Sequence, residues 1–220
     1  MGETIQLTAA DGHSFGAYRA GPANADKALV VIQEIFGVNA HMRRVCNRFA
    51  EAGYAVVAPA LFDRVQRDVE LGYAPADTAA GRDLRSQISD EAVMQDVEAA
   101  RASLGSRPCG IVGYCWGGTI AWWGATRNTG FHAAVAWYGG GIAATRTEAP
   151  NCSVQLHFGE KDAGIPLSDV DLIRAAQPAA EVFVYPGAQH GFGCDDRSSY
   201  DAAAAALAQK RTLAFLAAHL

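Results

Sequence analysis

Short unbroken apolar runs alternate along this chain with stretches whose apolar residues recur every three or four positions. Residues 28–32 read Ala-Leu-Val-Val-Ile, the pattern of a strand covered on both faces. Residues 54–59, 110–114, 133–138, 154–158 and 181–185 repeat that pattern and predict further strands. Between them, residues 42–52, 91–104, 117–126, 168–176 and 200–220 show helical spacing, and the first two of these stop at Gly53 and Gly105. Near the start, residues 5–7 and 15–19 flank Asp11-Gly12, a hairpin turn signal. A hairpin feeding a strand–helix alternation predicts an α/β fold: a mostly parallel central sheet of about eight strands with helices on both faces. Residues 60–90 are the least regular part, and their expected role is a cap or lid over a site.

Length and composition narrow this picture. A chain of 220 residues, half hydrophobic and 19% charged, suits one globular domain over residues 1–220. A net charge of −5 without a basic stripe argues against nucleic acid as a partner. No apolar stretch approaches the roughly 20 residues that a membrane-spanning helix needs. Met1-Gly2-Glu3-Thr4 does not begin a secretory signal. The five cysteines, at 46, 109, 115, 152 and 194, form no CxxC pair, which argues against a disulfide framework or a structural zinc site. The expectation is a cytoplasmic protein with reduced thiols, a monomer or small homo-oligomer, needing neither metal nor organic cofactor.

Chemistry in such sheets gathers beyond the carboxyl ends of the strands. Four residues in those places carry reactive groups: Glu34, Cys115, Asp162 and His190. Cys115 lies in Gly113-Tyr114-Cys115-Trp116-Gly117-Gly118, a strand-to-helix turn with the form of a nucleophile elbow. A helix starting there favours thiolate, and the Trp116 amide is a candidate oxyanion donor. A core cysteine needs no such glycines, so Cys46, Cys109 and Cys152 read as structural thiols and Cys115 as a nucleophile. His190 sits in a Gly-flanked loop suited to a base, whereas His13, His41, His132, His157 and His219 read as surface or core residues. Asp162 is the candidate partner of that base, with Glu160 as its competitor in the same turn. The order Cys115, Asp162, His190 is that of nucleophile, acid and histidine in α/β-hydrolases. The Ile35 amide, after the first central strand, is a second oxyanion candidate. Beside it, Glu34 is either a proton acceptor for the thiol or a surface glutamate.

Together the segments QEIFG (33–37), GYCWGG (113–118), GEKDAGIP (159–166) and YPGAQHGFG (185–193) resemble the dienelactone hydrolase family, also described as carboxymethylenebutenolidase-like. The resemblance spans nearly the whole chain. It implies the α/β-hydrolase fold and hydrolysis of a lactone or small carboxylic ester through a thioester. It makes Cys115 the nucleophile, His190 the base, Asp162 its partner and Glu34 a switch that activates the resting cysteine. It also implies an oxyanion hole from Ile35 and Trp116, and a pocket bounded by Phe36 and Tyr138. Members clamp a substrate carboxylate with arginines, one of them four residues after the catalytic histidine. Here that place is Cys194, with Arg197 further on, and Arg82 and Arg85 are the remaining candidates. Two rivals stand beside this reading. One is a broader carboxylesterase or thioesterase; the other is a non-catalytic redox sensor using Cys115 with Cys194 as resolving thiol.

Overall fold

The structure, a computed structural model, describes residues 2–220, which form two compact units meeting in sequence between Cys109 and Gly110. In the first unit the predicted hairpin joins β1 (Glu3–Thr8) to β2 (Ser14–Ala20). Gly12 takes φ +85° in its turn, a conformation that favours glycine, and the Asp11 carboxylate accepts from the His13 amide. Then follow β3 (Ala28–Ile32), α1 (Ala40–Glu51) and β4 (Ala55–Pro59). β2 pairs antiparallel with β4, and β4 pairs parallel with β3. All five residues of β3 are buried, as its unbroken apolar run requires. α1 starts where Asn39 Oδ1 accepts from the Met42 amide. It buries the stripe Met42, Val45, Cys46 and Phe49, and the chain turns beyond it at Gly53 with φ +94°.

The segment expected to be irregular contains a helix. After a 3-10 turn over Leu61–Arg64 comes α2 (Pro75–Ser86), followed by α3 (Asp90–Ala102). Only Gly81 and Leu84 of α2 are buried, so the helix carries too few apolar residues to show a period. Its start is local chemistry: Pro75 in the first turn, and Asp77 Oδ2 accepting from the Ala74 amide. The strap before it is fastened down. Leu71 N–H donates to Phe36 O, Gly37 bridges Glu70, and Arg43 makes two hydrogen bonds to the Glu70 carboxylate. Arg64 pairs with the fully buried Asp96 of α3 at 2.7 Å and fixes the 3-10 turn.

In the second unit β5 (Cys109–Tyr114), α4 (Trp116–Arg127), β6 (Ala133–Trp137), β7 (Ser153–Gly159), α5 (Leu167–Ala176), β8 (Glu181–Tyr185) and α6 (Ala202–His219) follow in turn. Its strands lie in sequence order, all parallel. Residues 116–125 of α4 are all buried, which accounts for a helix apolar on every side. Among the described residues no helix is long and apolar enough to cross a membrane. None of the five cysteines forms a disulfide.

Candidate active site

The turn from β5 into α4 is held by backbone packing. A β-carbon at Gly113 would lie 1.8 Å from Gly117 O, and one at Gly118 would lie 2.6 Å from Trp137 O. Only bare backbone permits so tight a reversal. Cys115 caps α4 with φ +58° and ψ −117°, a conformation L residues avoid, and its amide donates to Trp137 O at 3.0 Å. Trp116, the first residue of α4, follows directly. Gly113→Ala is expected to destabilise the protein by about 3 kcal/mol or more, read from urea unfolding, because no side-chain motion relieves a backbone clash.

Two other loops of the same unit bring the predicted partners to Cys115. Asp162 follows β7. Its carboxylate is fully enclosed, and Oδ1 accepts from the Gly164 amide at 2.8 Å. Its other oxygen, Oδ2, lies 2.7 Å from His190 Nδ1, and His190 Nε2 lies 3.2 Å from Cys115 Sγ. A carboxylate only accepts, so Nδ1 carries hydrogen toward Asp162. Burial pulls the imidazole pKa down, but the hydrogen bonds to Asp162 and Cys115 outweigh it and take His190 up to about 10. The loop that carries His190 turns on Gly187 and Gly191, at φ +73° and +77°.

Glu160, the competitor of Asp162, has other work: its Oε2 accepts from the Gly187 amide at 2.8 Å and tethers the same loop. That tether was not legible in the sequence, where both acids sit one turn after a strand. Tyr138, at φ +41°, sets its ring edge-on to His190 with centroids 5.1 Å apart. Phe192 packs on Tyr138, Trp137 and Tyr185 and closes the loop from behind. His157 is wholly buried and taken down to about 3 by that burial. It bonds Tyr185 Oη and Gln155 Oε1, the behaviour of a core histidine. Burial pushes the Cys46 and Cys109 thiols up to about 12 and Cys152 to about 11, as inert thiols require. Cys194 is fully buried.

The remaining predicted residues belong to the first unit. Glu34, Ile35 and Phe36 lie just beyond β3 at 0%, 8% and 1% exposure, so Glu34 is no surface glutamate. Gln33 orders this segment, donating to Glu34 O and accepting from the Leu61 amide. Arg82 and Arg85 are exposed on α2.

A family model describing the dienelactone hydrolases matches residues 15–220. The chain belongs to the dienelactone hydrolase family. It is 36% identical over 229 residues to the carboxymethylenebutenolidase of Pseudomonas putida, covering 98% of this chain and 96% of that one. A candidate carboxymethylenebutenolidase of Synechocystis sp. is 39% identical over 198 residues, covering 81% of this chain and 80% of that one. Among solved structures, a candidate dienelactone hydrolase from Klebsiella pneumoniae superposes with a TM-score of 0.82 at 34% identity, covering 98% of this chain and 99% of that one. Dienelactone hydrolases have the α/β-hydrolase fold, and this chain shares it. Family membership places it among the hydrolases of lactones and carboxylic esters.

Proposed function

We propose that this dienelactone hydrolase cleaves a lactone or small carboxylic ester by nucleophilic catalysis through Cys115, His190 and Asp162. One observation carries the reading: the Cys115 sulfur, on a strained elbow, lies 3.2 Å from an imidazole whose far nitrogen is 2.7 Å from an enclosed carboxylate. In this reading the thiolate forms a bond to the substrate carbonyl carbon, and the carbonyl electron pair moves onto oxygen. The amides of Ile35 and Trp116 are the proposed donors to that oxyanion. Collapse breaks the acyl C–O bond, and His190 Nε2–H gives its proton to the departing alkoxide or enolate. The neutral imidazole then takes a proton from water, whose oxygen attacks the thioester and frees the sulfur. In a lactone the departing oxygen stays tethered to the acyl group.

Tyr138 and Phe36 are the proposed pocket walls, and Arg82 and Arg85 the proposed contacts for an acidic substrate. Glu34 enters as a proton acceptor for Cys115 before the thiolate settles on His190; its complete burial supports a role other than solubility. The family match runs through both units, which supports a single hydrolase domain over residues 1–220. Small esters and lactones are the proposed partners. A redox-sensing role has less support, since a resolving thiol must be reached and Cys194 is enclosed.

The test is chemical trapping. Brief incubation with p-nitrophenyl acetate and an acid quench should leave one acetyl group on the Cys115 peptide, located by mass spectrometry and removed by hydroxylamine. An acetyl group found elsewhere, or turnover with no acyl-enzyme at any quench time, would remove Cys115 from the nucleophile's role.

A further inference from the structure

A glycine in the middle of a helix is costly, because Gly keeps more backbone freedom when unfolded than any other residue. Gly81 sits in the middle of α2 and is one of its two buried residues. A β-carbon built there would lie 1.9 Å from Ile35 O, 3.0 Å from Ile35 C and 3.3 Å from Ile35 Cβ. At Gly81 the helix backbone therefore meets the Ile35 carbonyl, and no side-chain motion makes room. That carbonyl belongs to the residue whose amide is the proposed oxyanion donor.

On either side of Ile35 the segment is pinned. Gln33 holds Leu61 N–H and Glu34 O, while Phe36 O accepts from the Leu71 amide at 2.9 Å. Gly37 comes as close to the strap as Gly81 does to Ile35: a β-carbon there would lie 1.9 Å from Val69 O. Asn39 Nδ2 reaches Leu71 O, and Phe36 packs edge-on against Tyr73 with centroids 4.7 Å apart. The peptide at Ile35 lies between these pins, and in the described contacts its backstop is α2 at Gly81.

We propose that Gly81 is a positioning residue for the oxyanion site: the bare helix backbone there is the stop for the Ile35 carbonyl and Cβ, and so sets where residue 35, with the N–H on the other side of its Cα, lies. The inference rests on Ile35 being an oxyanion donor, as proposed above. A methyl group at position 81 must move from 1.9 Å to beyond 3.0 Å from the carbonyl oxygen and also meets Ile35 Cβ at 3.3 Å, so either residue 35 is pushed back as a whole or α2 recedes by more than 1 Å. Both outcomes release the donor from its place. A displacement of that size, or the loss of one oxyanion donor, costs about 100-fold in rate.

The experiment compares wild type with Gly81→Ala, Ala80→Gly and Cys115→Ala, using two readouts. Steady-state kcat and KM for p-nitrophenyl acetate depend on the oxyanion donors. The rate of Cys115 alkylation by iodoacetamide needs the thiolate but develops no oxyanion. Gly81→Ala is expected to lower kcat by about 100-fold with KM and the alkylation rate within twofold of wild type. Ala80→Gly loosens the exposed side of the same helix and is expected to change neither readout, which separates placement of Ile35 from stability of α2. If Gly81→Ala keeps kcat within twofold, or loses alkylation in parallel with turnover, the assignment is overturned. Should Gly81→Ala fail to fold, Leu84→Ala withdraws the one buried side chain that seats α2 and is expected to give the same split; full kcat there overturns the proposal. Turnover surviving in Cys115→Ala would instead strike the underlying catalytic reading, so the two failures are distinguishable.

Discussion

Cys115→Ala is expected to lose ester turnover by on the order of 10⁴-fold or more, to the level of background hydrolysis. Its melting temperature should stay within a few degrees of wild type. The two halves of this expectation have separate causes. Turnover goes because a methyl group in place of the thiol can form no bond to a carbonyl, while the pocket and amides that remain supply only binding and polarisation. Stability stays because alanine occupies the same backbone conformation at the same cost and removes one half-buried sulfur. The informative companion is Cys115→Gly. A non-glycine residue at φ +58° and ψ −117° pays about 1–3 kcal/mol of backbone strain that glycine avoids. Cys115→Gly should therefore be equally inactive yet melt at a higher temperature than Cys115→Ala. A protein that bears backbone strain at a half-buried cysteine, and melts higher when glycine relieves it, keeps that cysteine for chemistry and not for packing. Equal melting temperatures for the two variants would show that the elbow stores no strain.

That elbow was legible in the sequence because everything defining it is local. An apolar run, two flanking glycines and a helix start lie close together in the chain, and each has a fixed backbone meaning. Asp162 and His190 were legible for a different reason: a parallel sheet delivers the ends of its strands to one edge, so chain order predicts which loops converge. The metric was not legible. Glu160 and Asp162 occupy the same turn with the same charge, and only the direction of each side chain decides that one holds an amide and the other an imidazole. α2 escaped because a helix recognised by its buried stripe needs more than Gly81 and Leu84 to show a period. With the helix unseen, nothing in the sequence singles out Gly81, and its contact with Ile35 joins positions far apart in the chain with no side chain to mark it.

Asp162→Asn should lower kcat/KM by about 10⁴-fold near neutral pH and move its alkaline limit to lower pH. The sign follows from the hydrogen bonds. The ordinary imidazole pKa is 6.5; burial lowers it, and Asp162 and Cys115 together raise it to about 10. Proton donation from Nε2 to a leaving oxygen is therefore available in wild type up to about pH 10, where the imidazolium is lost. Asparagine removes the charged acceptor, so the proton leaves His190 at a lower pH and the active window closes from its alkaline side. The amide also offers an N–H to Nδ1 as readily as an oxygen, which can hold the ring in the tautomer that has no hydrogen there. The same linkage acts on folding. A histidine whose folded pKa lies above its unfolded value stabilises the native state fully below pH 6.5, and that contribution is lost as the pH rises through about 10. Asp162→Asn should thus narrow the gap in melting temperature between about pH 6 and about pH 10 as well as the activity profile. The pH dependence of kcat/KM for p-nitrophenyl acetate, with melting curves at the same pH values, measures both. An alkaline limit unmoved by the substitution would mean that Asp162 does not hold the proton on His190, whatever its distance from the ring.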